Sequence, residues 1–591
     1  MTTRILFLIS CLMGGAAALA VDVPAGGVEM LPAGGGAAMS SWGGAKREVV
    51  ATNGLPFAKA LRLTVATRPA VAWNVGASFT TRQAAKKGDV VLAVIWLRGE
   101  PADATNGEAM VCVVYENHRD PGFAAVRQTF RLGREWKEYL LPSVVGMNTA
   151  AEEGRFTVHA GFGPQTIEVG GARLLNYGRT VGLEKLPFTR FSYPGQEPNA
   201  PWRKAAAARI EQFRKANLVV RVVDADGRNI SGTPVSVRMT RSAFGFGTAV
   251  ALDELLGTSA DSEKYRAVLE KYFNKATTEN GLRWNNWAFN KEQSKKQVGA
   301  SLDWFKAHRI DARGHYLAWG PMESRSQPRD YKGRPEELRR DLFAHIEEIT
   351  KFVGKRVAEW DAVNHPIGWG PRTYGDECGV SFYGDIIRRG RQLQSQATMW
   401  INEEINEELV ERRYLALTRE LVQSGATPDG VGFMGHFKGG LLPGPEEMYR
   451  RCDEFARVVP SLQFTELDMA CGADEQLQAD HLRDMLTMAY SHPAFKAVVV
   501  WGFWEARHWV PSAALWRRDW TMKPAAKVWE NLVLREWRTN ADGVTDAAGM
   551  FAVRGHLGEY EVRATVNGKT SVGTALLAKD GAGVTVRLSR E

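Results

Sequence analysis

The sequence predicts an α/β protein built on a (β/α)8 barrel, with a β-sandwich before the barrel and a small β-module after it. Three observations carry that reading. Between residues 243 and 504, eight strand-like segments alternate with helix-like ones, and the strands end in polar, aromatic or His residues. Residues 21–185 show short alternating apolar runs between Gly-rich turns, and residues 539–591 return to that pattern. Finally, Leu462-Gln463-Phe464-Thr465-Glu466-Leu467-Asp468 is a mostly apolar run that ends on carboxylates. A charged Glu at the end of a buried strand needs a partner or a task, which makes Glu466 a site candidate.

In chain order, Arg4, the apolar run Ile5–Met13 and Ala18-Leu19-Ala20 read as a secretory signal over residues 1–20, so a secreted or periplasmic protein is expected. Cys11 as a lipid-attachment site is the weaker alternative, because the apolar stretch before it is short. No later segment approaches the roughly 20 apolar residues of a membrane span. A chain of 591 residues, 44% hydrophobic and 24% charged, suits several globular units. Its net charge of +8, without a Lys/Arg run, argues against a nucleic-acid partner. Cys112, Cys378, Cys452 and Cys471 lack C-x-x-C spacing, so no zinc site is expected and their pairing stays open.

Within residues 21–185, Val90–Trp96 and Met110–Tyr115 are the clearest strands of the sandwich. The run from Trp136 through Gly161-Phe162-Gly163 to Gly178 resembles the closing strands of a jelly-roll carbohydrate-binding module. Trp42, Trp73, Trp96 and Trp136 are either sugar-stacking rings or, more simply, core and edge aromatics. Residues 186–240 read as a Pro-punctuated linker, a helix from Trp202 to Asn217, and a hairpin of Leu218–Val223 and Thr233–Met239 around Asp224-Ala225-Asp226-Gly227. The barrel follows over 241–538. Its helices fall near 295–308, 335–353, 382–394, 407–424, 445–457, 474–491 and 524–537; in the second, Leu338, Leu342, Ile346, Ile349 and Val353 share one face, with Pro335 at its start and Gly354 at its end. The tail 539–591 reads as a small β-module, packed with the hairpin at 218–239.

Several strand-end motifs together carry a resemblance. Phe273-Asn274-Lys275-Ala276-Thr277-Thr278-Glu279-Asn280-Gly281-Leu282-Arg283-Trp284, Gly314-His315-Tyr316-Leu317-Ala318-Trp319, Asp429-Gly430-Val431-Gly432-Phe433-Met434-Gly435-His436, Phe464-Thr465-Glu466-Leu467-Asp468 and Val500-Trp501-Gly502 occur in this order. They resemble the strand motifs of glycoside hydrolase family 10, the retaining (β/α)8 endo-1,4-beta-xylanases, and especially its plant-type branch. The resemblance implies Glu466 as nucleophile, and Glu279, Asn280, Arg283, His315, Trp319, Asn364, His436 and Trp501 as sugar contacts. It implies no cofactor and no metal.

The departures from that pattern bear on the chemistry. Strand four reads Trp360-Asp361-Ala362-Val363-Asn364-His365, so His365 stands where the family has its acid/base Glu. Arg283 replaces a Lys, Gly320 a His, Met434 a Gln, and Asn402-Glu403-Glu404-Ile405 replaces N-D-Y-N. Retaining hydrolysis needs a nucleophile and a second group that protonates the leaving oxygen and then activates water. Three readings stand for the second group. His365 itself serves, since an imidazole titrates near neutrality; or a displaced carboxylate does, with Glu377, Glu403, Glu404 and Glu505 as candidates; or the acid is absent and the barrel is a non-catalytic glycan-binding protein. A metal held by His315, His365 and His436 is a further, weaker alternative. The expected partner is a plant or algal-type polysaccharide, and the Arg283 fork would suit an acidic one.

Overall fold

The computed structural model describes residues 21–102, 108–323, 327–368, 372–406 and 408–588; the signal reading over 1–20 lies outside them. Two compact units result, one reaching to Phe191 and including Gly472–Asp474, the other holding the rest.

In the first unit, two antiparallel sheets face each other. One orders strands Lys46–Ala51, Lys59–Val65, Gln165–Asn176, Val90–Pro101 and Lys137–Val144; the other orders Ser40–Trp42, Gly76–Thr80, Gly154–His159, Ala109–Asn117 and Asp120–Leu132. The run Val90–Leu97 is apolar throughout because both of its faces are covered. Val91, Ala93, Ile95 and Leu97 enter the main core, while Val90, Leu92 and Val94 pack on Leu140, Leu175 and Tyr177. Trp96 is buried and donates to Glu138, whereas Trp73 is 61% exposed.

The second unit contains the barrel. Its strands are β1 (Gly245–Val250), β2 (Lys275–Thr278), β3 (Asp311–Trp319), β4 (Glu359–Asn364), β5 (Thr398–Glu403), β6 (Gly430–Phe433), β7 (Leu462–Ala470) and β8 (Phe495–Val500). Each pairs in parallel with the next, and β8 closes on β1. Parallel strands covered by helices outside and side chains inside lose their polar alternation, and every residue of β4 is buried. The helix Pro335–Val353 buries its whole stripe, Leu338 through Val353, and ends at Gly354 with φ +60°.

Polar residues inside the barrel are paired. Arg313, fully buried on β3, meets Glu359 and Asp361 of β4, and Lys275 of β2 reaches Glu359 at 2.7 Å. Burial alone would raise the Glu359 carboxyl, but Lys275 and Arg313 hold it near about 2. Among the described residues no helix is long and apolar enough to cross a membrane.

Two expectations for the flanks need correction. The segment Pro187–Pro201 is not a free linker, because Tyr193 is buried and its hydroxyl donates to Asp484 of helix Glu475–Ser491, which also pairs with Arg203. Nor do the strands near 218 and 234 form a hairpin. The Asp224–Gly227 turn exists, with Gly227 at φ +87°, but it pairs only Val223 with Asn229. Strand Lys215–Val223 then lies between Met550–His556 and Ala582–Arg587, while Pro234–Ser242 lies between Asn540–Val544 and Gly558–Val566. Both strands carry an apolar face, and placing them in opposite sheets buries Leu218, Val220 and Val222 in one core with Val235, Val237 and Met239. The helix before them spans Pro201–Phe213, shorter than the sequence suggested.

Candidate active site

The C-terminal ends of the barrel strands converge on Glu466 of β7, which is 6% exposed. Its Oε1 accepts from Asn402 Nδ2 at 2.9 Å, and its Oε2 faces His436 Nε2 at 3.3 Å. Burial would raise this carboxyl. The His436 hydrogen bond and the charges of His315, His436 and His365 outweigh burial and bring it down to about 2, so Glu466 is ionised at any physiological pH.

Each of those three histidines is fixed through Nδ1 on a carboxylate. His315 meets Asp361 at 2.8 Å, His365 meets Glu403 at 2.8 Å, and His436 meets Asp468 at 2.9 Å. Such a bond sets the ring's orientation and leaves Nε2 as the nitrogen directed elsewhere. For His436 the second direction is Glu466. Although burial opposes its charge, Asp468, Glu466 and Glu404 together raise its basicity well above the ordinary imidazole value. A cationic His436 thus joins two carboxylates, and Trp509, 58% exposed, adds a 2.7 Å donor to Asp468.

His365 follows the last residue of β4. The register aligns Asn364 with Asn402, so the next residues on the two strands, His365 and Glu403, are also neighbours. The His365 backbone is left-handed, φ +54°, and its carbonyl runs against Gly320. A Cβ at Gly320 would sit 2.0 Å from that oxygen, so only glycine fits there. The Gly320 departure thus leaves room for the His365 carbonyl. Trp319 packs edge-on to the His365 ring at 4.8 Å.

The alternative acids separate clearly. Glu403 is buried and accepts from His365, from the backbone N–H groups of Ile367 and Gly368, and from that of Glu404. Burial acts against its charge, but His365 and these donors pull its pKa below the ordinary value, so it is an anion and no proton donor. Glu377 pairs with Arg372. Glu505 caps the backbone N–H of Arg518. Glu404 differs: burial first, then the charges of Glu403 and Glu466, push its carboxyl up to about 7 against the pull of His436 and His365.

The other residues expected from the sequence lie round the same centre. Asn364 accepts from Asn402 at 2.7 Å, and Trp501 is T-shaped to His315 at 5.1 Å. Glu279 is raised by burial and feels Arg283, Asn280, His315 and Glu466; it shares a recess with Trp501, Trp504 and Trp509. Arg283 opens the helix Trp284–Phe289, and its Nε is buried without a hydrogen-bond partner among the described residues. Asn280 is exposed. Among the described residues no group of three or more His, Cys, Asp or Glu is arranged to hold a metal ion. Asn402, Asp361, Asp468 and Trp509 were not among the site residues expected. Asn402 and Asp468 lay inside quoted motifs, whereas Trp509 sits in a loop without a periodic signal.

Comparison with known proteins finds one matching family. Residues 237–531 match the model of glycosyl hydrolase family 10. The chain is 29% identical to the anti-sigma-I factor RsgI6 of Acetivibrio thermocellus over 65% of this chain and 49% of that protein. It is 25% identical to endo-1,4-beta-xylanase 1 of Arabidopsis thaliana over 61% of this chain and 38% of that protein. It thus spans less than half the length of either relative. Among solved structures, native xylanase 10B from Thermotoga maritima is 22% identical with a TM-score of 0.44, covering 50% of this chain and 97% of that one.

Proposed function

Since residues 237–531 form a glycosyl hydrolase family 10 domain, we propose that the protein cleaves a xylan-type polysaccharide with retention of configuration. Glu466 is the nucleophile and His365 the acid/base. The observation that carries this reading is a buried Glu466 among three imidazoles, each anchored through Nδ1 on a carboxylate. In the first step a Glu466 oxygen bonds the anomeric carbon, the glycosidic C–O bond breaks, and the His365 Nε2 proton goes to the leaving oxygen. In the second step neutral His365 takes a proton from water as that water attacks the anomeric carbon and frees Glu466. The acid goes from cation to neutral, where a carboxylic acid would go from neutral to anion. Glu279, Asn280, Arg283, His315, Trp319, Asn364, His436 and Trp501 supply the donors, acceptors and ring faces for the sugars. Arg283, with its unpartnered Nε, supports an acidic substituent on the substrate. Arg4, the run Ile5–Met13 and Ala18-Leu19-Ala20 support export. Exposed Trp73 supports glycan contact by the first unit.

A second reading assigns the acid to Glu404, because a carboxyl that titrates near about 7 is protonated when a glycosidase acid must be. The test uses neutral and acidic xylans, new reducing ends as readout, and wild type beside His365→Ala and Glu404→Gln. Loss of about a hundredfold or more in His365→Ala alone supports His365, and the same loss in Glu404→Gln alone supports Glu404. The alkaline limb adds a discriminator, since an imidazole limb moves strongly with temperature and a carboxyl limb hardly at all. Binding without turnover in wild type would reject both and leave a non-catalytic glycan-binding protein.

A further inference from the structure

Resting on the assignment of His365 as acid/base, we propose that Glu403 is its positioning residue, so that His365 and Glu403 work as an imidazole–carboxylate dyad. Glu403 Oε1 takes the His365 Nδ1 proton at 2.8 Å and the Glu404 N–H at 2.9 Å. Oε2 takes the N–H of Ile367 at 2.9 Å and of Gly368 at 3.1 Å. Four donors converge on two oxygens, so only the anion satisfies them all. Two of the donors belong to the turn that follows His365. The same carboxylate therefore fixes the imidazole and the strained loop that carries it, with His365 at φ +54° and its backbone N–H on Asn402 O.

The consequence is chemical. With Nδ1–H held by an anion, the proton given to the leaving oxygen and later taken from water moves only at Nε2, and the ring need not turn between the two steps. The carboxylate also stabilises the imidazolium in a fixed orientation, which the other groups around His365, the Trp319 ring and the Glu404 and Glu466 carboxyls, do not supply through a hydrogen bond to Nδ1.

Glu403→Gln tests the dyad. An amide offers one acceptor and one donor, so in either orientation an N–H2 faces N–H groups or forces Nδ1 to accept, which reverses the tautomer. Turnover of xylan should fall about 10³–10⁴-fold. With a nitrophenyl xyloside, whose leaving group needs no proton, the first-step burst of nitrophenol should stay within a few fold of wild type while steady turnover, which still needs His365 as base, falls. Histidine labelled with ¹⁵N gives a readout independent of activity: neutral His365 should carry its proton on Nδ1 in wild type and in Glu403→Asp. If neutral His365 carries it on Nε2 in the wild-type protein, the dyad is wrong. It is equally wrong if Glu403→Gln turns over xylan within about threefold of wild type while His365→Ala does not, the acid assignment then standing. If His365→Ala keeps full turnover, the acid assignment itself fails, and the dyad with it.

Discussion

Consider replacing His436 by Asn. In the native site Glu466 titrates near about 2 against an ordinary 4.5, although burial pushes the other way. That depression corresponds to roughly 3 kcal/mol in favour of the anion. The His436 hydrogen bond is the largest of the contributions that lower it. Asparagine keeps a polar group but removes the positive charge, leaving burial and the nearby Glu404 less opposed. Glu466 should then titrate about one to two pH units higher. The assay is kcat/KM against pH with an activated aryl xyloside, whose cleavage needs no acid and so isolates the nucleophile. Wild type should show no acid limb above the pH at which the protein unfolds, whereas His436→Asn should show one within the folded range. The stability sign agrees: a carboxylate with a depressed folded pKa stabilises above its unfolded pKa, and that contribution is lost as pH falls toward the folded value. The variant should lose part of it and melt lower at pH 7. Superimposable pH profiles for the two proteins would refute the argument that His436 holds Glu466 ionised.

Three further outcomes are expected. Arg313→Met should cost about 3–5 kcal/mol, because it leaves buried Asp361 with His315, and buried Glu359 with Lys275 and Gln463, in place of the guanidinium they share, and calorimetry should record a lower Tm with His315 less well held. Gly320→Ala should cut turnover by more than about a hundredfold with a smaller loss of stability, since its Cβ would displace the His365 carbonyl; undiminished turnover would show that this loop has room to shift. His345, His481, His492, His508 and His556 are buried and held neutral, mainly by burial, at about 3 for His345 and about 4 for the others. Below pH 6.5 the unfolded chain binds protons first, so denaturant melts should show stability falling steadily from pH 6.5 to about 4, by at most roughly 3 kcal/mol per site.

The barrel was legible because strands covered on both faces read as apolar runs, and because their polar ends stand out against those runs. Glu466 was singled out as a strand-end carboxylate, whereas β7 runs on past it to Ala470. The hairpin near 218–239 was misread because alternation and Asp-Gly turn chemistry are local signals, while the true partners begin at Asn540. Glu403 appeared in the sequence only as a substitute acid. Its contact with His365 follows from the β4–β5 register and from two loop N–H groups, neither of which has a sequence pattern. The four Trp of the first unit looked alike in sequence, and only packing separates exposed Trp73 from buried Trp96.

The β-module that Lys215–Ser242 shares with Asn540–Arg587 makes the barrel an insertion within another domain. During synthesis the first two strands of that module emerge early and then wait, their apolar faces uncovered, while every strand and helix of the barrel is made. The barrel has its strands and helices by the time Trp537, which stacks on Phe246 and Tyr490, is in place, so it can close first and bring the two halves of the module to one spot. The module would then form last, as a clasp: Arg309 pairs with Glu559, and Tyr490 meets His556 at 2.9 Å. Until the strand Ala582–Arg587 arrives, the edge of Lys215–Val223 stays open to any passing strand, which is when a nascent chain of this design is most exposed to misassembly.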